Sequence, residues 1–198
     1  MSHIDENEIK KSAQASLAAA DRSTGHAFFS VSIKKLCLLY FFTFGIYTLV
    51  FFYQNWKLQK LKWSLKVSPV LRSVFAIFFV HSLFSRMTSS AEAKNIEHIP
   101  NLSLQATVYV VSSVASGVIS NFAETEPTYP ALGVASLILL FVALYPLCVA
   151  QKLVFKINDD KDGVSNSTFS LTNWIFIVLG ALLWLTAIAG ISLSLPGA

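Results

Sequence analysis

The chain has 198 residues, of which 54% are hydrophobic and only 13% charged, and its mean hydropathy is +0.58. A soluble domain of this length needs more polar surface, so the composition excludes an ordinary soluble domain and points to lipid as the solvent. The formal charge of +4 does not mark a nucleic-acid binder, because the basic residues stand beside apolar runs; anionic headgroups are the expected counter-charge.

Residues 1–27 mix charges with Ala, Ser and Gln, too little apolar mass for a core, and read as a mobile polar tail with one short helix over 6–20. The remaining residues, 28–198, read as a single helical membrane domain. No cleavable signal is expected, since the first apolar run is long enough to span and ends without a small-residue cleavage site. Between Lys35 and Lys57 lie 21 uncharged residues, about the ~20 that a helix needs to cross ~30 Å of hydrocarbon. Lys34 and Lys35 are placed to snorkel at one edge, and Tyr53, Trp56 and Lys57 suit the headgroup layer at the other. The first span is therefore set at 36–56, with a helical continuation that breaks before Ser68 and Pro69.

In that continuation Lys57, Lys60, Lys62 and Lys66 interleave with Leu58, Leu61, Trp63 and Leu65, a basic and aromatic apron on the membrane face. Ser68 at the cap and Pro69 at the first helical position start a short helix over 70–86. Its 13 residues between Arg72 and Arg86 cover roughly 20 Å, short for a crossing, so it reads as tilted, interfacial or re-entrant. Arg72, Phe79 and Arg86 recur at intervals of seven and fall near one face, where the arginines either snorkel or bind lipid phosphate or another anion.

The run over 101–120 is apolar but serine-rich. Ser112, Ser116 and Ser120 recur every four residues, a spacing that lets another helix approach closely and alternatively lines a polar interior with His81. The strongest later span is 130–151, with a kink expected at Pro146. Residues 151–167 return to the surface; Asp159, Asp160 and Asp162 lack the order of a calcium loop and read as a solvated turn. The last span is set at 173–195, capped by Thr172 or Asn173, with Gly180, Ala187 and Gly190 as packing positions.

The fold class expected is therefore an all-α membrane protein with about four transmembrane helices plus one short re-entrant or interfacial helix. With 70–86 held on one side, four spans place ten of the 15 Lys and Arg on the cytoplasmic side. Making 36–56 re-entrant as well leaves three crossings and puts all 15 there, but asks a 21-residue apolar run not to cross. Four spans are the expectation.

At TFGIYTLVFFYQNWK, followed by SPVLRSVFAIFFVHSLFSR, the chain resembles a family of small bacterial inner-membrane proteins of unknown function. The resemblance rests on Val31, Ser32, Lys35 and Leu36, on Thr43 to Tyr47, on Phe51 to Trp56 and on the Arg-x-x-Phe helix from Arg72, and covers residues 28–90 best. It implies a multi-pass protein of the bacterial inner (plasma) membrane and no activity.

All 11 acidic residues lie outside the apolar runs, which argues against an ion-coupled transporter. His3, His26, His81 and His98 stand apart, and Cys37 and Cys148 have no paired spacing, so no metal or cofactor is expected and the thiols read as buried and inert. No phosphate loop or nucleophile elbow is present. The function expected is a non-enzymatic structural or interaction protein that contacts anionic lipid through Lys57, Lys60, Lys62, Lys66, Arg72 and Arg86, with membrane lipids and a second copy or protein partner as neighbours and no nucleic acid. A small transporter, channel or lipid-handling protein, using His81, Ser112, Ser116 and Ser120 as its interior, is the alternative.

Overall fold

The computed structural model of the chain describes residues 25–125 and 130–194, with side chains over 25–123 and 131–186. The tail helix expected over 6–20 and the packing roles of Ala187 and Gly190 lie outside them. Every regular element among the described residues is helical: α1 Ile33–Phe42, α2 Tyr47–Trp63, α3 Pro69–Val74, α4 Ala76–Ala93, α5 Leu102–Thr125, α6 Pro130–Val142, α7 Leu144–Asn158, a 3-10 turn Lys161–Asn166, and α8 Leu171–Ser194.

The span expected over 36–56 is not one helix. Phe44 and Gly45 both take positive φ, 49° and 82°, and the Gly45 N–H bonds the Tyr40 carbonyl at 2.9 Å, so the chain reverses between α1 and α2. Glycine suits the left-handed position without a Cβ penalty, and Thr43 holds both helix ends, donating to Leu39 O and accepting from Tyr47 N. The reversal brings the two outer ends together. Gln59 Nε2 on α2 donates to Ala27 O at 2.9 Å, and Asn55 Oδ1 accepts from Phe29 N at 3.1 Å. At 10 residues, α1 is roughly 15 Å long, half a bilayer core. A count of uncharged residues does not register the turn, because Thr, Phe and Gly carry no charge.

The short helix also differs from its expected bounds. Ser68 Oγ caps α3 by accepting from Leu71 N, with Pro69 at the first position as anticipated, but the helix breaks at Phe75 and α4 runs on past Arg86 to Ala93. α2 continues past Trp56 and ends at Ser64, whose φ of 50° makes a left-handed cap. The end of α2 returns beside the end of α4, since Trp63 and Lys94 line one cavity.

Where four crossing helices were expected, the described residues contain two that are long and apolar enough to cross a membrane: Leu102–Ala123, with 22 residues, and Ala131–Asn158, with 28. A shorter apolar stretch, Leu171–Thr186, belongs to α8. The second long helix bends at Ala143, three residues before Pro146, because proline removes a hydrogen bond to its preceding turn and its ring displaces that turn's carbonyl. α8 starts earlier than expected, and its cap is Ser170, whose Oγ accepts from Asn173 N while Asn173 Oδ1 accepts from Ser170 N.

The core joins the N-terminal segment, α1, α2, α4 and α7, with Phe28, Leu36, Phe51, Phe52, Trp56, Phe84 and Leu147 sealed from solvent. α5 packs most extensively on α6, and α8 packs on α1. Gly180 permits that last contact: a Cβ there would lie 1.8 Å from the Phe42 carbonyl oxygen. Below it Phe41 and Phe44 stack on Trp184, at centroid distances of 4.8 and 4.6 Å. The outward face of α8, with Trp174, Phe176, Leu182, Leu183 and Leu185, is exposed and apolar.

Candidate functional site: a polar clamp beside a basic cleft

Residues 27–32 precede α1 as an irregular segment, bent at Ala27 and Phe28, in neither helix nor strand. Such backbone has N–H and C=O groups that no regular element pairs, costly wherever water is excluded. Side-chain amides satisfy them. Asn158 accepts from Ala27 N and Phe28 N at 2.9 and 3.3 Å and donates to Phe28 O at 2.7 Å. Asn55 and Gln151 serve the two polar groups of Phe29, and Asn166 donates to Ser30 O. Asn55, Gln59 and Gln151 are fully buried. The segment is thus clamped by α2, α7 and the 3-10 turn at once.

The turn read from sequence as solvated belongs to this clamp. Asp160 is buried and accepts from Ser30 Oγ and from Ser165 Oγ and N. Burial alone pushes its carboxyl up, but the bonds from Ser165 and Ser30, with His26 nearby, outweigh it and hold the group below the ordinary carboxylate value. Lys35, expected to snorkel, instead turns inward: its Nζ donates to Asn166 Oδ1 and Thr168 O, each at 2.7 Å, and burial lowers its pKa. No charge run or motif pattern signals this arrangement; the only hint in the sequence is amide side chains, Asn55, Gln59 and Gln151, within otherwise apolar helices.

Beside the clamp lie the predicted contact residues. Arg72 is brought together with the aromatic face: its guanidinium sits 4.1 Å from the Trp56 ring centroid and 4.9 Å from that of Phe79. Burial, then the neighbouring Arg86, lower its pKa. Arg86 and Lys62 line a cavity of about 450 Å³ with Trp63, Ser85, Ser89 and Lys94. Lys62 lies over the Trp63 ring at 5.5 Å, and Lys94 pairs with Asp159 at 2.9 Å on the exposed rim. Lys60 and Lys66 are exposed outside this cleft, and Lys57 is partly buried on α2.

The residues of the expected polar interior are not brought to one place. His81 is exposed and meets Thr107 of α5 at 3.2 Å, away from Ser112, Ser116 and Ser120. Ser112 donates to Val108 O in its own helix, and Ser116 donates to Ser136 O across the α5–α6 contact at 2.8 Å. Ser120 is partly buried further along α5. Cys37 and Cys148 are reduced, partly exposed and in contact, their sulfurs 3.9 Å apart. Among the described residues no group of three metal-ligating side chains converges.

Comparison of the chain with protein-family models, with curated proteins and with solved structures finds no match in any of the three.

Proposed function

We propose that the chain is a multi-pass membrane protein without catalytic chemistry of its own, which gathers anionic lipid at one basic face. In this reading α5, the bent α6–α7 pair and α8 cross the bilayer, while the α1–α2 and α3–α4 hairpins enter from the basic side and return to it. This is the three-crossing arrangement that charge counting favoured. The observation that carries it is the shared layer at the hairpin ends: Gln59 bonds Ala27, Trp63 and Lys94 line one cavity, and Lys94 pairs with Asp159 at the end of α7. Every lysine and arginine among the described residues lies on these hairpins or on α7 and the turn beyond it, so the positive-inside rule places that layer in the cytoplasm. A bacterial inner-membrane location rests on the resemblance over residues 28–90.

Lys57, Lys60, Lys62 and Lys66 then face the headgroups of the cytoplasmic leaflet, where each lysine near the surface contributes about 1 kcal/mol of attraction to anionic lipid. Exposed Trp63 has the amphipathic body suited to that depth.

Single cysteines at positions 12, 60, 90, 125 and 162, in a variant lacking Cys37 and Cys148, test the topology. Labelling of 12, 60, 90 and 162 from the cytoplasm and of 125 from outside is expected. Position 12 labelling from the opposite side to 60 would restore the first helix as a crossing. For the lipid function, the K60E/K62E/K66E variant should retain several-fold less phosphatidylglycerol on purification, and unchanged retention removes the reading.

A further inference from the structure

The cleft between the end of α2 and α4 differs from the rest of the basic face. Lys62 approaches from α2, Arg86 from α4, and Lys94 from the end of α4, while Ser85, Ser89 and Ser90 add hydroxyls along the same side of that helix. Among the described residues no carboxylate lines the cavity. Among the described residues Lys94 alone of these cations has an ion-pair partner, Asp159 at the rim. The Arg86 Nε is buried with no hydrogen-bond partner, an arrangement costly for a guanidinium unless an acceptor occupies the space in front of it. Arg72, stacked on Trp56, adds positive potential from behind.

We propose that this cleft binds one phosphate group, a mono- or diester. Arg86 supplies the planar fork that matches two phosphate oxygens, Lys62 a compact second cation, and Ser85 with Ser89 or Ser90 neutral donors. Arg86 and Lys62 with the serine hydroxyls provide more donors than the two oxygens of a carboxylate accept, which suits the larger acceptor set of a phosphate. At about 450 Å³ the cavity admits a phosphate with part of its ester group, and exposed Trp63 stands at the mouth. The inference deepens the lipid-facing reading at the level of one site. It does not depend on which helices cross.

The source of the phosphate, a phospholipid headgroup or a soluble phosphate, is separated by experiment. The purified full chain in alkyl-maltoside micelles is titrated in one arm with inorganic phosphate and in the other with short-chain phosphatidylglycerol, following binding by calorimetry. Saturable binding in either arm is expected, weakened about tenfold to a hundredfold by R86Q and by K62Q, the range for one charge-assisted contact. Binding in the first arm identifies a soluble source, and binding in the second alone a headgroup. Lys62 is exposed, so K62Q decides the matter even if R86Q fails to fold. Absence of saturable binding in both arms, or binding that K62Q leaves unchanged, overturns the proposal. K60E/K66E, outside the cleft, should leave this saturable site intact while reducing bulk retention of anionic lipid, so the cleft and the wider apron fail separately.

Discussion

Replacing Asn158 by alanine removes three hydrogen bonds from the clamp, those accepted from Ala27 N and Phe28 N and the one donated to Phe28 O. Each is worth about 1 kcal/mol net, so the direct loss is about 3 kcal/mol, and it rises if no water reaches the groups of buried Phe28. About 3 kcal/mol is a factor of roughly 150 in the equilibrium between the clamped and released segment. Because the remaining anchors, Asn55 and Gln59 on α2, Gln151 two turns earlier on α7 and Asn166 in the 3-10 turn, are untouched, the expected event is local release of residues 27–32 rather than global unfolding.

Hydrogen exchange of the peptide covering 25–32, in micelles, reads this directly: protection should fall by about two orders of magnitude while peptides from α5 are unchanged. N158D tests the donor. It keeps the acceptor for two amide hydrogens but sets an acceptor-only carboxylate oxygen against Phe28 O, so it too should lose protection over this segment. Protection in N158A within threefold of wild type would refute the claim that side-chain amides hold this segment.

Three further outcomes follow from the geometry. Gly180→Ala forces α8 off the Phe42 carbonyl and should cost about 1–3 kcal/mol, seen as a lowered unfolding midpoint and loss of the Trp184 stacking environment in fluorescence; an unchanged midpoint removes the close approach. Asp160 has a folded-state pKa below its unfolded value, so the unfolded state binds its proton first as the pH falls; its contribution is present above the ordinary carboxylate range and lost as the pH falls through the folded value, and D160N should flatten that acid limb of the stability profile. A thiol oxidant such as diamide should join Cys37 to Cys148 with loss of two hydrogens, the sulfurs closing from 3.9 Å to ~2.05 Å. The bond closes a loop of about a hundred residues and stabilises by up to ~4.7 kcal/mol on chain-entropy grounds; oxidised wild type unfolding at the same point as C37S/C148S refutes this.

The sequence was most legible where a signal is local. Ser68 and Pro69 start a helix as expected, Arg72 and Phe79 meet although they lie on two helices rather than on one face of a single helix, and the long apolar runs at 101–120 and 130–151 are helical. It was least legible where a uniform apolar run hides a reversal. TFGI contributes no charge, so hydropathy averages over it, although Gly45 beside Thr43 carried the turn chemistry. The clamp was hidden for another reason: most of its bonds join positions more than a hundred residues apart, such as Ala27 to Asn158, and no periodicity in either segment reports on the other. The cleft was half visible. Arg86 was singled out by its spacing from Arg72, but its meeting with Lys62 depends on α2 and α4 returning to one side.

The reversal and the clamp belong together. The turn between α1 and α2 brings the segment before α1 back against α2, where it has neither helix nor sheet to satisfy its backbone. The five amide side chains that serve segment 27–32 come from α2, α7 and the 3-10 turn, the elements that meet there. Those same meetings set the cleft, since the Gln59 bond to Ala27 fixes the end of α2, one turn before Lys62, against the layer that α4 reaches at Lys94. Release of the clamp should therefore loosen the phosphate site without touching its ligands. N158A and N158D, measured in the same micelles, are each expected to weaken phosphate or phosphatidylglycerol binding by a modest factor. Binding unaffected by either variant would mean that α2 and α4 hold the cleft by themselves.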